Sequence, residues 1–220
     1  MDGHRGQSET LGFALILGFT LISVGAIAVY GGTTLQTTQE QIGVQNAENA
    51  MSQFDSRASM VALGQQTSQT VKFGAAQQGT YSVEPEAGWI RIVHENETAD
   101  ETTPLYNGTL GAVTYRDGTR EIAYQGGGVW RKDEGSVMLS PPEFHYRGST
   151  LTLPLVQMRG SGTVTGNPTA TIGQDRSGNR IFPNASAEEP STNPVQSGVV
   201  SVTVKSEYYT AWADYFRTRT

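Results

Sequence analysis

The chain has 220 residues, 21 acidic against 15 basic side chains, a formal net charge of −6 and no cysteine. That length holds one moderate domain beside any membrane segment and hardly two, and without cysteine neither disulfides nor thiolate chemistry are available. The acid surplus suits a solvated surface and speaks against a nucleic-acid partner, which needs a basic face.

Residues 1–6, MDGHRG, form a short leader with a basic tip, and Thr10 to Gln39 then run without one charge. Inside that run Leu11 to Gly31 is 21 residues long. At about 1.5 Å rise per residue such a helix covers the roughly 30 Å hydrocarbon layer of a bilayer, so residues 11–31 are predicted to span a membrane. Arg5 precedes the segment and the first charges beyond it are Glu40 and Glu48, which puts the short N-terminus in the cytoplasm and the rest outside. Ala26-Ile27-Ala28 imitates a secretory cleavage site but lies inside the apolar run, with Val29 and Tyr30 following, so an ordinary signal peptide is disfavoured. Glu9 is the acid nearest the segment. A carboxylate in the first turn of a helix is favoured by the macrodipole, with Ser8 or Thr10 as the cap.

Beyond the membrane segment, residues 33–63 read as an amphipathic helix. Val44, Ala47, Met51, Phe54, Ala58 and Val61 recur at alternating spacings of three and four, with polar residues between them. Gly31-Gly32 and Gly43 are expected to loosen this helix and Gly64 to stop it. The stripe packs on its own domain or on neighbouring subunits. Within the membrane, Gly12, Gly18 and Gly25 leave a smooth surface but make no GxxxG motif.

From residue 67 the pattern changes to short strands: Thr70–Phe73, Thr80–Val83, Trp89–Val93, Leu110–Tyr115, Arg120–Tyr124, Gly128–Arg131 and Val137–Leu139. Asp117-Gly118 predicts a tight hairpin between two of them. Ser149–Met158 alternates like a further strand, with Pro154 demoting it to an edge or a bulge. Residues 160–197 are loop-rich, a long loop or a loosely paired ribbon. Gly198–Lys205 returns to strand, and residues 206–218 end the sequence in an aromatic-faced amphipathic helix. That helix either closes one β domain or opens a further unit.

Chemistry is sparse. His4, His94 and His145 fit no metal-ligand spacing, Gly126-Gly127-Gly128 lacks the Lys-Ser/Thr of a phosphate loop, and Gly160-Ser161-Gly162 lacks the context of a nucleophile elbow. Glu84-Pro85-Glu86 and Glu188-Glu189 read as solvated carboxylate pairs rather than acid/base catalysts. No catalytic residue, metal or cofactor is expected. Asn96, Asn107 and Asn184 each begin an Asn-x-Ser/Thr sequon in a predicted loop, with Asn107-Gly108 read as an accessible turn.

His4-Arg5-Gly6, followed by Gln7-Ser8-Glu9-Thr10-Leu11-Gly12 and the apolar run, resembles the class III signal peptides of archaeal type IV pilin-like and archaellin-like proteins. The phrases MSQFDSRASMVALG, AYQGGGVW, SPPEFHYRGSTLTLP and YYTAWADYFRTRT are similar to an uncharacterised family of haloarchaeal proteins with pilin-type N-termini. The resemblance implies that a prepilin peptidase cuts between Gly6 and Gln7, within Arg5-Gly6-Gln7, and that the hydrophobic helix is retained. It also implies an assembly role for Glu9, which stands third after the cut where the bacterial pattern has its acid fifth. Archaeal surface filament subunits often carry N-glycans, which gives the sequons a use.

The expected fold is therefore α+β. A leader (1–6) precedes one long N-terminal helix (7–66, transmembrane over 11–31 and amphipathic over 33–63), and an antiparallel β-rich extracytoplasmic domain follows (67–220). The expected function is that of a non-enzymatic, membrane-anchored cell-surface protein, a pilin-like subunit of a filament or adhesive structure. Its partners would be membrane lipid, a prepilin peptidase and other pilin-like subunits. The alternative is a monomeric binding module on an uncleaved signal anchor.

Overall fold

The computed structural model describes residues 5–74, 79–96, 99–175, 180–183 and 192–219, and within the first helix the side chains at 13, 15–28, 38, 39 and from 41 onward. The chain divides into two compact units, residues 1–42 and 43–220. One helix, α1 (Arg5–Ala62), contributes to both. Gly31, Gly32 and Gly43 lie within its unbroken backbone. Gly43 serves close packing, since a Cβ there would lie 3.1 Å from Tyr115 Oη. All six predicted stripe residues, from Val44 to Val61, are buried. The helix stops as Gly64 predicted. Gly64 adopts φ +77°, its N–H donates to Val61 O (3.1 Å), and the Gln65 N–H donates to Met60 O (2.9 Å), which together make a Schellman cap.

Residues 43–220 form an α+β unit whose strands all pair antiparallel. β1 (Ser68–Lys72) pairs with β10 (Thr169–Gly173). The main sheet has the order β11 (Val199–Ser206), β2 (Thr80–Asn96), β3 (Glu101–Asp117), β4 (Arg120–Gln125), β5 (Gly128–Lys132), β6 (Ser136–Ser140), and β9 (Gly162–Val164) adds to β2 beside β11. The two segments expected at 80–83 and 89–93 are one strand. A register shift between Glu84 and Gly88 absorbs Pro85, whose ring nitrogen has no hydrogen to donate. Asp117 pairs with Arg120, so Gly118 and Thr119 make the hairpin loop, with Gly118 at φ +58° as a glycine-first tight turn requires.

One expectation is corrected downstream. Of the strand read over 149–158 only β8 (Thr150–Thr152) exists, paired with β7 (His145–Arg147), and the ladder has ended before Pro154. Of the alternatives for the loop-rich region 160–197 its described part follows the loosely paired one, since β9 and β10 pair with β2 and β1, and it adds the short α2 (Pro194–Ser197), which Asn193 caps by accepting from the Val195 N–H.

Strand alternation gives the main sheet two apolar faces. Val113, Tyr115, Ile122, Tyr124 and Val129 cluster with the stripe of α1 and with Val71 and Phe73. Leu110, Ala123 and Trp130 cluster with Ile90, Ile92 and Phe144, and with Tyr208, Ala211, Trp212 and Tyr215. Trp212 and Tyr215 belong to α3 (Tyr209–Arg219), the predicted C-terminal helix begun three residues later. Its Trp212 ring lies 4.5 Å from that of Trp130, centroid to centroid. The layers are thus helix, sheet, helix, and α3 closes the second face of the sheet.

Candidate functional site

Within residues 1–42 the described part of α1 is defined by what it leaves bare. Phe13, Leu15, Ile16, Leu17, Phe19, Leu21, Ile22, Val24 and Ile27 are all exposed, from 47 to 75 %. At about 100° per residue these positions fall on every side of the helix, so the surface is a full apolar sleeve and no single stripe. Its two hydroxyls turn inward. Thr20 Oγ1 donates to Ile16 O (2.7 Å) and Ser23 Oγ to Phe19 O (2.8 Å), so neither needs water. Gly18 and Gly25 have open space where a Cβ would stand. Among the described residues no helix is long and apolar enough to cross a membrane. The apolar run of the sequence extends on both sides of the described window.

The predicted processing residues lie at the start of the same helix. Arg5, Gly6, Gln7 and Glu9 are in its backbone, and their side chains lie outside the described residues. Ser8, Glu9 and Thr10 stand inside the described helix, so neither Ser8 nor Thr10 is its cap. His4 lies outside the described residues.

The sequons separate. Asn96 ends β2, and its Oδ1 accepts from the Ala99 N–H (3.2 Å) in the β2–β3 connection. Asn107 is exposed but not in a turn; it is a mid-strand residue of β3 opposite Arg91. Gly108 is glycine for another reason, because the Tyr106 ring covers it and a Cβ would meet Tyr106 Oη at 2.4 Å. Asn184 and the Glu188-Glu189 pair lie outside the described residues.

The structure assembles polar groups that spacing in the sequence concealed. Glu121, buried at the edge of the α3 core, accepts from Arg116 Nε and from Tyr208 Oη, while Arg116 Nη1 also reaches Glu84 Oε1 at 3.3 Å. Burial and the bond to Glu121 push the Tyr208 hydroxyl far up, and the bond to Glu121 raises Arg116. This chain of contacts ties β2, β3, β4 and the start of α3 together, and every charge in it has an opposite partner. Glu84 therefore is an ion-pair partner, while Glu86 remains exposed. On the other face Asp55 of α1 is buried at Ser140, which donates to its Oδ2, and its Oδ1 has no partner. Desolvation lifts this carboxyl to about 6. Its position four residues after Met51, on the edge of the apolar stripe, was the available signal. His94 is buried with Ser197 Oγ at 3.3 Å, and His145 pairs with Glu143 at 2.7 Å. Among the described residues no three His, Cys, Asp or Glu side chains are grouped to hold a metal ion.

A family model aligns with residues 5–220, nearly the whole chain. The chain belongs to DUF7289, a family of unknown function. No curated protein and no solved structure matches it. The DUF7289 match takes in the helical sleeve as well as the sheet unit.

Proposed function

We propose that this DUF7289 member is a non-enzymatic, membrane-anchored cell-surface protein with a pilin-like N-terminus. In this reading Leu11–Gly31 crosses the membrane, residues 1–10 face the cytoplasm and the sheet unit lies outside. The observation that carries it is the sleeve from Phe13 to Ile27, exposed on every side and free of unsatisfied hydroxyls. An apolar surface of that extent in water favours lipid or other apolar helices around it. The leader MDGHRG and the resemblance to class III signal peptides support cleavage between Gly6 and Gln7 by a prepilin peptidase. Once cut, the helix remains in lipid or packs with other pilin-like helices in a filament, where Glu9 would meet the new amino terminus of a neighbour.

Mass spectrometry of the protein isolated from its native membrane tests the processing step. The expected mature chain starts at Gln7, and a chain starting at Met1 or Asp2 would reject the peptidase.

One observation favours a second reading, a monomeric anchored binding module. The stripe from Val44 to Val61 is already buried within its own chain, so this half of the helix leaves no apolar face for a neighbour. In-membrane cross-linking separates the two: ladders of multimers support assembly, and monomer alone supports the module.

A further inference from the structure

The sheet has a bare end. β4 pairs with β3 only from Ala112 to Asp117, so the preceding residues of β3, with β2 and β11, form a three-stranded extension. Two cross-strand rows share one face of it. Thr109, Trp89 and Lys205 make the first, and Asn107, Arg91 and Thr203 the second, and all six residues are exposed.

Trp89 is the odd member of this polar set. The other tryptophans, Trp130 and Trp212, are fully buried, whereas Trp89 is 36 % exposed. Beside its indole lies an open hollow of about 320 Å³, lined also by Glu86, Ala87, Gly88, Ser206 and Glu207. Gly88, in its lining, packs closely against the neighbouring strand. A Cβ on Gly88 would stand 2.3 Å from the Lys205 carbonyl oxygen, and behind it the fully buried Gln125 accepts from Ser206 Oγ (2.5 Å) and donates to Ala87 O (3.4 Å). Glu207 is held in place by Lys132 Nζ at 2.7 Å.

A flat aromatic ring offers an apolar surface, and the groups around it offer donors and acceptors in a mixed array. Carboxylates (Glu86, Glu207) alternate with cations (Lys205, Arg91), so no single sign of charge prevails and an ionic ligand gains little. The ligand that matches both properties has an apolar C–H face and a rim of hydroxyls. We propose that Trp89 and the adjoining hollow bind pyranose rings of a neutral oligosaccharide, stacked on the indole and hydrogen-bonded at the rim. The site stands whether or not Phe13–Ile27 lies in lipid.

The test uses the full chain in phosphocholine micelles, which carry no sugar headgroup, with mannotetraose and cellotetraose as probes. Saturation-transfer NMR should show contact to ring C–H protons of at least one probe. Trp89→Ala should abolish it, and Trp89→Phe, which keeps an aromatic ring, should weaken binding by no more than roughly tenfold. Glu207→Gln should weaken it several-fold without loss of the folded spectrum. No transfer from either tetraose at about 10 mM would overturn the proposal, since a site weaker than that has no meaningful affinity. It would equally fall if tetramethylammonium or phosphate gave a Trp89-dependent response and the saccharides did not, for the site would then select charge.

Discussion

Asp55 is a carboxyl where α1 presents an apolar face, buried near Tyr124, with one oxygen on Ser140 and the other without a partner. Its upward shift, from 3.8 to about 6, is caused first by desolvation, is opposed by the Ser140 bond, and is reinforced by the nearby Glu143 charge. A raised carboxyl pKa means that the native state holds the proton more tightly than the unfolded chain. Stability therefore falls as pH rises from about 4 to about 6, at a cost on the order of 3 kcal/mol once the group is ionised. Asp55→Asn should remove that dependence. In denaturant unfolding of the full chain in micelles, the variant should match the parent near pH 4 and exceed it by roughly 2–3 kcal/mol at pH 8. A variant less stable than the parent at pH 8 would mean that the Ser140 bond to a charged carboxylate outweighs desolvation. Glycines tell a similar story at this scale. Gly64 and Gly118 were legible because a helix stop and a two-residue hairpin both need positive φ, whereas Gly43 and Gly88 are small for the sake of an atom far away in sequence, on Tyr115 and Lys205, and Gly108 for the Tyr106 ring two residues before it.

Among the elements, the packed half of α1 was the most legible, because its three-and-four spacing reports directly on the face that meets the sheet. Met51 lies at the centre of that face, fully buried. Met51→Ala should destabilise the sheet unit by about 2–5 kcal/mol, while Gln53→Ala on the exposed side should stay within about 0.5 kcal/mol. Equal effects at the two positions, measured by thermal or denaturant unfolding, would contradict the packing described. Strand lengths were less legible. Proline and glycine mark breaks locally, but Pro85 is absorbed by a register shift and Asn107-Gly108 runs straight because β2 pairs with it from the side. The Ser149–Met158 alternation failed the other way, since the segment gains partners only over three residues before Pro154. Partners such as Trp89 with Thr109 and Lys205 lie tens of residues apart, and local pattern carries no record of them. The tie of Tyr208 to Glu121 and the open Trp89 face were hidden for that same reason.

For the whole molecule, the account rests on the apolar sleeve of α1 lying in lipid. A helix that is apolar all round favours lipid or other apolar helices around it, while the layered sheet unit buries its apolar faces within itself. Because the chain contains no cysteine, single cysteines report on that solvent without interference. Leu21→Cys, mid-sleeve, and Glu134→Cys, on an exposed turn of the sheet unit, should be compared in intact cells with a membrane-impermeant maleimide. The account predicts that Glu134→Cys labels readily while Leu21→Cys stays unlabelled until the cells are dissolved in detergent and the chain denatured. Labelling of Leu21→Cys at the rate of Glu134→Cys in intact cells would contradict it.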